Sequence, residues 1–190
     1  MIDNLPILLQ NDSLLFPCYC EKTDESCLLS SPSPYKSQHE SYSINAHALI
    51  QPVLIRDSKS TSIILLFRPA GESCSIWRNH SNDEGRTWAS PIRTSLPNPL
   101  SGIGGFSHNG RIGLVCNHAM NHQRHPLSVA VSENGGLSWS QPRHIETINY
   151  EVSYPSFSTS RDNGAHGVYT YNRRMIKYVY LSEEELDAIR

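Results

Sequence analysis

The sequence has no long hydrophobic segment. Its longest run of purely apolar residues is the segment 63–67, whereas a membrane-spanning helix needs about 20 such residues. Residues 1–6 also lack the basic and apolar stretches that make up a signal peptide. We therefore expect no membrane partner, and the sequence favours a cytoplasmic location.

The sequence also lacks a cluster of basic residues. It contains 16 lysines and arginines against 18 aspartates and glutamates, which gives a formal net charge of −2, and the basic residues are scattered along the chain. Proteins that bind nucleic acid concentrate positive charge on one surface. We therefore expect no nucleic-acid partner.

The sequence also lacks a recognisable pairing of its cysteines. The chain has five cysteines, an odd number, and their spacing contains no C-x-x-C motif of the kind that binds zinc or performs redox chemistry. We interpret them as free and mostly buried thiols, which favours a reducing compartment. They are Cys18, Cys20, Cys27, Cys74 and Cys116.

A repeated motif is the most informative feature that is present. Residues 81–88 read S-x-D-x-G-x-T-W, and residues 132–139 repeat this pattern as S-E-N-G-G-L-S-W at an offset of 51 residues. That offset matches a four-stranded propeller blade. The side chain of Asp83 or Asn134 can bond the backbone that follows it, and a glycine supplies a positive φ, so each copy predicts a hairpin.

Short β-type runs separated by Gly, Asn, Asp, Ser and Pro cover most of the chain, and they predict an all-β fold. Grouped in fours, they give antiparallel four-stranded blades at 47–94 and 102–147, and a further blade that begins at Val152. Residues 1–46 contain no copy of the motif. We expect a degraded blade there, with a hairpin around Asn11 and Asp12 and a loose polar loop over 22–43.

The C-terminal residues break the strand pattern. Ser182 and Glu185 form the two ends of a capping box, which predicts a short helix over 182–190. The chain thus divides into 1–46, a propeller region at 47–181 and the helix at 182–190.

Three to four blades are too few to close into a ring, since propellers usually have four to eight. We therefore expect part of a larger propeller, with open blade edges that favour a homo-oligomer.

The motifs together resemble the sialidase-like (BNR/Asp-box) six-bladed β-propeller family, in its C-terminal part. The resemblance rests on the two Asp boxes, on Ile-Gln-Pro at 50–52, and on segments 96–103 and 169–177. It implies a partial six-bladed propeller and a glycoside hydrolase that acts on terminal anionic sugars. A glycan is then the expected partner, and the resemblance implies no cofactor and no metal.

The resemblance also implies roles for individual residues. Sialidases of this class hold the substrate carboxylate with three arginines, and Arg68 and Arg124 match two of them. The catalytic nucleophile is a tyrosine, matched by Tyr169, which a glutamate activates. A guanidinium suits a carboxylate because its planar fork donates two parallel hydrogen bonds. Gln51 stands at the position of the glutamate.

Two departures from the family pattern point to a weak or inactive enzyme. The Gln51 amide cannot accept a proton from a tyrosine, and an unassisted phenol is a poor nucleophile near neutral pH. Residues 1–46 contain no counterpart of the third arginine or of the acid/base aspartate of the family. The alternative function is a non-catalytic propeller fragment that binds glycan or protein.

Each candidate residue also has a purely structural interpretation. Arg68 and Arg124 can be ordinary surface arginines, and Tyr169 can be a packing residue of its strand. Histidines in the segment 118–125 have spacings that could bind zinc on a helix, but here they fall in a predicted loop. His47 and His118 remain weaker catalytic candidates.

Overall fold

Four antiparallel sheets make up the molecule in the computed structural model, which describes residues 4–32, 40–57, 60–71 and 73–190. The first sheet consists of β1 (Ile7–Leu8), β2 (Leu14–Cys20), β3 (Glu25–Ser31) and β4 (Glu40–His47), in that order. The second consists of β5 (Leu49–Arg56), β6 (Ile63–Pro69), β7 (Ser75–Ser81) and β8 (Ile92–Pro97).

The third and fourth sheets follow the same meander. The third consists of β9 (Gly104–His108), β10 (Arg111–Asn117), β11 (Leu127–Ser132) and β12 (Arg143–Glu146). The fourth has three strands among the described residues, β13 (Val152–Thr159), β14 (Ala165–Tyr171) and β15 (Met175–Leu181). Helix α1 (Glu183–Asp187) ends the fold. The sheets are arranged as a propeller, so the predicted all-β propeller with a short C-terminal helix is confirmed.

Apolar side chains fill the space between successive sheets. Leu15 and Leu28 of the first sheet pack with Phe67 of the second. Further clusters join the second sheet to the third and the third to the fourth. The second and third sheets are covered on both faces, so strands such as β6 and β10 are buried along nearly their whole length and do not show a polar–apolar alternation.

The blades predicted around the two motifs are confirmed, since β5–β8 and β9–β12 form them. The expectation of a loose loop over 22–43 is wrong where the structure shows β3 and the start of β4. Buried Leu28 and Ile44 anchor these strands, although the many serines around them obscure the pattern. Residues 33–39 lie outside the described residues, and the division at 46 and 181 stays a prediction.

The two motif hairpins share two hydrogen bonds. Ser81 Oγ accepts the Gly85 N–H at 2.8 Å, and Ser132 Oγ accepts the Gly136 N–H at the same distance. The residue two positions after each serine accepts the backbone N–H four residues further on, at 2.9 Å in both copies. Trp88 and Trp139 are both half-buried beside the second αL residue of their hairpin. The two tryptophans occupy corresponding positions, but Trp88 Nε1 donates to Gly85 O at 3.0 Å, whereas Trp139 Nε1 is buried without a partner among the described residues.

The cysteine expectation is wrong for one pair. Cys18 and Cys27 face each other on β2 and β3 with their Cα atoms 5.2 Å apart, and they form a disulfide. That spacing suits a cross-strand bridge, but the pairing depends on strand register and is not visible from cysteine spacing. Cys20 is exposed, Cys74 half-buried and Cys116 buried, where burial raises its thiol pKa to about 12.

Helix α1 begins at the capping box predicted from the sequence. Ser182 Oγ accepts the Glu185 N–H at 3.2 Å, and the Glu185 carboxylate accepts the Ser182 N–H at 3.0 Å. The helix buries Leu186 in the core between the third and fourth sheets. Among the described residues, no helix is long and apolar enough to cross a membrane.

Candidate functional site

Two β-bulges at equivalent places shape the candidate site. In the second sheet the pairing shifts between Ile50 and Val53, and in the fourth it shifts between Ser153 and Ser156. The bulged residues are Gln51 and Tyr154, each with a positive φ, of 50° and 52° respectively, and each followed by a proline. Bulges re-aim side chains at the rim of a sheet. Gln51 and Tyr154 thus hold the same position in two blades.

Gln51 connects the first sheet to Arg68. Its side-chain carbonyl oxygen accepts a hydrogen bond from Arg68 Nε. Its amide nitrogen Nε2 donates a hydrogen bond to Tyr19 Oη at 3.5 Å. Tyr19 is buried at the end of β2. Since Ile50 pairs with Arg68, the bulge places the amide beside the guanidinium. The predicted pair Gln51 and Arg68 therefore lies together.

Gly102 lies between the two bulges. A β-carbon on Gly102 would lie 2.9 Å from Tyr154 Cδ1 and 3.5 Å from Gln51 Oε1. The first distance is too short for a real contact, so the Tyr154 ring reaches this place because residue 102 has no side chain. The absent side chain brings the Gln51 and Tyr154 positions next to each other.

Arg124 completes the group. Its Nη1 donates to Tyr154 Oη at 3.2 Å and to Glu151 Oε1 at 3.1 Å, and its guanidinium carbon lies 5.3 Å from the centre of the Tyr154 ring. Burial lowers the pKa of Arg124, but hydrogen bonds to Tyr154 and Glu151 outweigh this and raise it overall. Arg124 is therefore a fixed cation beside an exposed phenol.

Glu151 holds the arginines in place. Its carboxylate accepts hydrogen bonds from Arg124, from Ser153 Oγ at 2.8 Å and from Arg173 Nε at 2.6 Å. Burial raises the pKa of Glu151, but these donors outweigh it and lower the pKa overall. Glu151 thus stays ionised near neutral pH and orients Arg124. Sequence reasoning missed this residue.

Tyr169 lies in the core between the third and fourth sheets. It is 2% exposed, and its hydroxyl donates to Glu146 Oε2 at 3.3 Å. Burial raises its pKa. Val152 pairs with Tyr171 as Leu49 pairs with Pro69, so Tyr169 matches Phe67, which is fully buried. The catalytic role predicted for Tyr169 stays a prediction.

Tyr154 is the tyrosine that the structure brings to Arg124, and sequence reasoning missed it. A signal was present, because Gln51-Pro52 and Tyr154-Pro155 are the same kind of pair at the start of a blade. The strand pattern alone does not reveal it, since a bulge shifts the alternation by one residue. The match between the two positions becomes clear only with the register.

The histidine candidates lie apart from this group in their contacts. His47 pairs with Glu25 at 3.9 Å, and its side chain is 79% exposed. His118 is half-buried, and burial lowers its pKa. Over residues 4–32, 40–57, 60–71 and 73–190, no three His, Cys, Asp or Glu side chains form a group that could hold a metal ion.

Comparison with known proteins agrees with the fold. The NanB sialidase from Streptococcus pneumoniae superposes with a TM-score of 0.76 at 15% identity, over 95% of this chain and 30% of that chain. The intramolecular trans-sialidase from Ruminococcus gnavus, in complex with oseltamivir carboxylate, gives 0.76 at 16% identity, over 97% and 44%. The leech intramolecular trans-sialidase gives 0.75 at 16% identity, over 95% and 31%.

The chain therefore spans about a third of the length of the NanB and leech proteins that it resembles. Comparison with the sequences of curated proteins found no match. The family model of the BNR repeat-like domain matches residues 1–168. This match covers most of the chain, including the Asp boxes and both bulges, and it agrees with the sialidase-like architecture. The chain belongs to the family of BNR repeat-like domains, as a sialidase-like β-propeller.

Proposed function

We propose that the chain binds a terminal anionic sugar of a glycan through Arg68 and Arg124, and that it is a weak or inactive glycoside hydrolase. The observation that carries this proposal is the contact of Arg124 with Tyr154, beside Gly102 and Gln51. Two arginines and a phenol near Gly102 suit a ligand that has one carboxylate and several hydroxyls.

The relatives support an anionic ligand. The Ruminococcus gnavus enzyme was solved with oseltamivir carboxylate, and the leech enzyme with 2,7-anhydro-Neu5Ac. In this chain Glu151 already neutralises part of the charge of Arg124. We therefore expect the ligand carboxylate to share the Arg124 fork with Glu151, which favours weak rather than tight binding.

Gln51 limits catalysis in this proposal. An amide at the bulge keeps the hydrogen bond to Arg68 but has no basic lone pair that could take a proton from a phenol. Loss of general acid–base assistance typically lowers the rate by a factor of about 10² to 10⁴. A binding propeller without turnover, for glycan or protein, is the second candidate, and Gln51 is the observation that favours it.

Binding is tested by calorimetric titration with the methyl α-glycoside of N-acetylneuraminic acid. Arg124→Ala should weaken binding about tenfold or more, because a charge-assisted hydrogen bond contributes roughly 1.5–3 kcal/mol. Arg124→Lys should give an intermediate loss, since lysine keeps the charge but not the fork. The matched control is Arg161→Ala, at an exposed turn residue. Equal affinities of all four proteins would contradict the proposal.

Turnover is tested with a fluorogenic sialoside. The wild-type chain should hydrolyse it at close to the background rate, and Gln51→Glu should raise any residual rate. Tyr154→Phe and Tyr169→Phe form a matched pair, because each removes one hydroxyl. Robust wild-type hydrolysis would contradict the inactive interpretation, and the variant that abolishes it would identify the nucleophile.

A further inference from the structure

The turn between β14 and β15 carries an arginine in a strained backbone conformation. Asn172 and Arg173 both have a φ of 51°, and the Arg174 N–H donates to the Tyr171 carbonyl oxygen at 3.1 Å. Positive φ at both central residues is typical of a type I′ turn, whose second central position favours glycine. Asparagine tolerates a positive φ, whereas an arginine there carries a conformational cost. Strained residues of this kind cluster at functional sites, so the side chain of Arg173 calls for an explanation.

The Arg173 guanidinium lies next to the proposed sugar site. Its Nε donates to Glu151 Oε2 at 2.6 Å, while Glu151 Oε1 accepts a hydrogen bond from Arg124 Nη1 at 3.1 Å. The backbone fixes the turn at the same place, because the Asn172 N–H donates to the Glu151 carbonyl oxygen at 2.7 Å. Arg124 and Arg173 therefore bind the two oxygens of one carboxylate.

Most of the hydrogen-bonding capacity of Arg173 is unused. Its side chain is 71% exposed, and its Nη1 and Nη2 make no hydrogen bond among the described residues. Because only Nε binds Glu151, the parallel donors of Nη1 and Nη2 can still hold an anionic group. Arg124 and Arg173 also share a single negative charge, so the three side chains together carry a net positive charge.

We infer that Arg173 binds a second anionic group of the glycan, beside the terminal acidic sugar held at Arg124. The preferred ligand then carries acidic groups on two adjacent sugars. This inference rests on the proposed function, because Arg124 supplies the anchor for the first sugar. One ligand carboxylate does not account for Arg173, since Glu151 already occupies the place between the two guanidinium groups.

The test compares the methyl α-glycoside of N-acetylneuraminic acid with the methyl glycoside of its α2,8-linked dimer by calorimetric titration. The wild-type chain should bind the dimer about fivefold more tightly, a difference of about 1 kcal/mol, which is the upper end for an exposed ion pair. The ratio of the two affinities should fall towards one in about 0.5 M NaCl, because salt screens exposed charges.

Arg173→Gly separates a binding role from a structural one. Glycine suits the second central position of a type I′ turn, so the variant should be at least as stable as the wild type in urea unfolding. It should nevertheless lose the preference for the dimer. Arg174→Ala is the matched control, because it removes an exposed arginine of the same turn whose side chain makes no hydrogen bond among the described residues. This variant should keep the preference.

Three results would overturn this inference alone. They are equal wild-type affinities for monomer and dimer, a dimer preference that survives in Arg173→Gly, and an equal loss of preference in Arg174→Ala. Absence of binding by both glycosides would overturn the inference together with the proposed function.

Discussion

Single residues with a positive φ fix the hairpins of the two motifs. Gly136 has φ 85°, and a β-carbon there would lie 3.3 Å from Trp139 Cζ2 and 3.4 Å from Arg78 Cδ. An L-residue in this left-handed region costs roughly 1–2 kcal/mol, and the crowded contacts add to that cost. The backbone of the hairpin therefore depends on glycine at this position.

We predict that Gly136→Ala lowers the free energy of unfolding by about 2 kcal/mol. Urea unfolding followed by tryptophan fluorescence measures the change. Gly71→Ala is the control, because a β-carbon there meets nothing within 4 Å and no positive φ is required. Equal stability of the two variants would show that the Trp139 hairpin tolerates a side chain.

The third residue of the motif is charged in the first copy, Asp83, and uncharged in the second, Asn134. Asp83 accepts the Thr87 hydroxyl at 2.6 Å and the Thr87 N–H at 2.9 Å, and these donors lower its pKa to about 2. Asn134 makes the corresponding bonds without a charge, with Nδ2 donating to Ser138 Oγ at 2.8 Å. One hairpin is therefore sensitive to acid and the other is not.

Asp83→Asn should remove this acid sensitivity. A carboxyl with a lowered folded-state pKa stabilises the fold above its unfolded pKa of about 3.9, and this contribution is lost as the pH falls towards 2. The wild-type advantage over Asp83→Asn should therefore shrink between pH 5 and pH 2.5 in urea unfolding. Asn134→Asp should gain the same dependence. A pH-independent difference between wild type and Asp83→Asn would contradict the interpretation.

At the scale of elements, helix α1 closes the core between the third and fourth sheets. Leu186 is fully buried there, and Asp187 contacts both His108, with Oδ1 2.8 Å from Nε2, and Arg111. The His108 contact, aided by Arg111, lowers the pKa of Asp187. The helix is thus held against the third and fourth sheets by the packing of Leu186 and by the contacts of Asp187 with His108 and Arg111.

Leu186→Ala should lower the free energy of unfolding by about 2–4 kcal/mol, the usual cost of a leucine-sized cavity. Glu184→Ala, at an exposed position of the same helix, should change it by less than about 0.5 kcal/mol. Urea unfolding of both variants makes the comparison. A small loss for Leu186→Ala would show that α1 is not part of the cooperative fold.

Elements that carry a short local sequence motif could be predicted from the sequence, whereas elements that depend on strand pairing could not. The Asp boxes and the Ser182 capping box were readable, because each is a short pattern of side chain to backbone bonds. The β3 strand was missed, because its serines and its cysteine resemble a loop and Leu28 is its single buried apolar residue. Tyr154 was missed because a bulge is defined by the register between two paired strands, which the pattern of a single strand does not reveal.

At the scale of the whole molecule, the last sheet has an uncovered face. Val168 and Thr170 pair with Tyr178 and Ile176 on that face, and Ile176 is 74% exposed. The three interfaces between successive sheets are filled with such residues. Apolar sheet faces of this kind tend to be covered in solution.

We predict that the isolated chain forms oligomers whose population rises with concentration in analytical ultracentrifugation. Ile176→Lys should shift the distribution towards monomer, because it places a charge on the uncovered face. Leu137→Lys, at another exposed residue in a motif hairpin, should have no such effect. A monodisperse monomer at every concentration would refute this prediction and point to a self-sufficient ring.

The Gln51 bulge has an evolutionary consequence. Glutamine and glutamate codons differ by a single base, so one point mutation would put a carboxylate between Tyr19 and Arg68. The bulge, its proline and the Arg68 contact would all remain, and the Tyr19 hydroxyl could turn to donate instead of accept. The lineage of this chain is therefore one nucleotide change away from a general base at this place, and selection can remove or restore that group without rebuilding the blade.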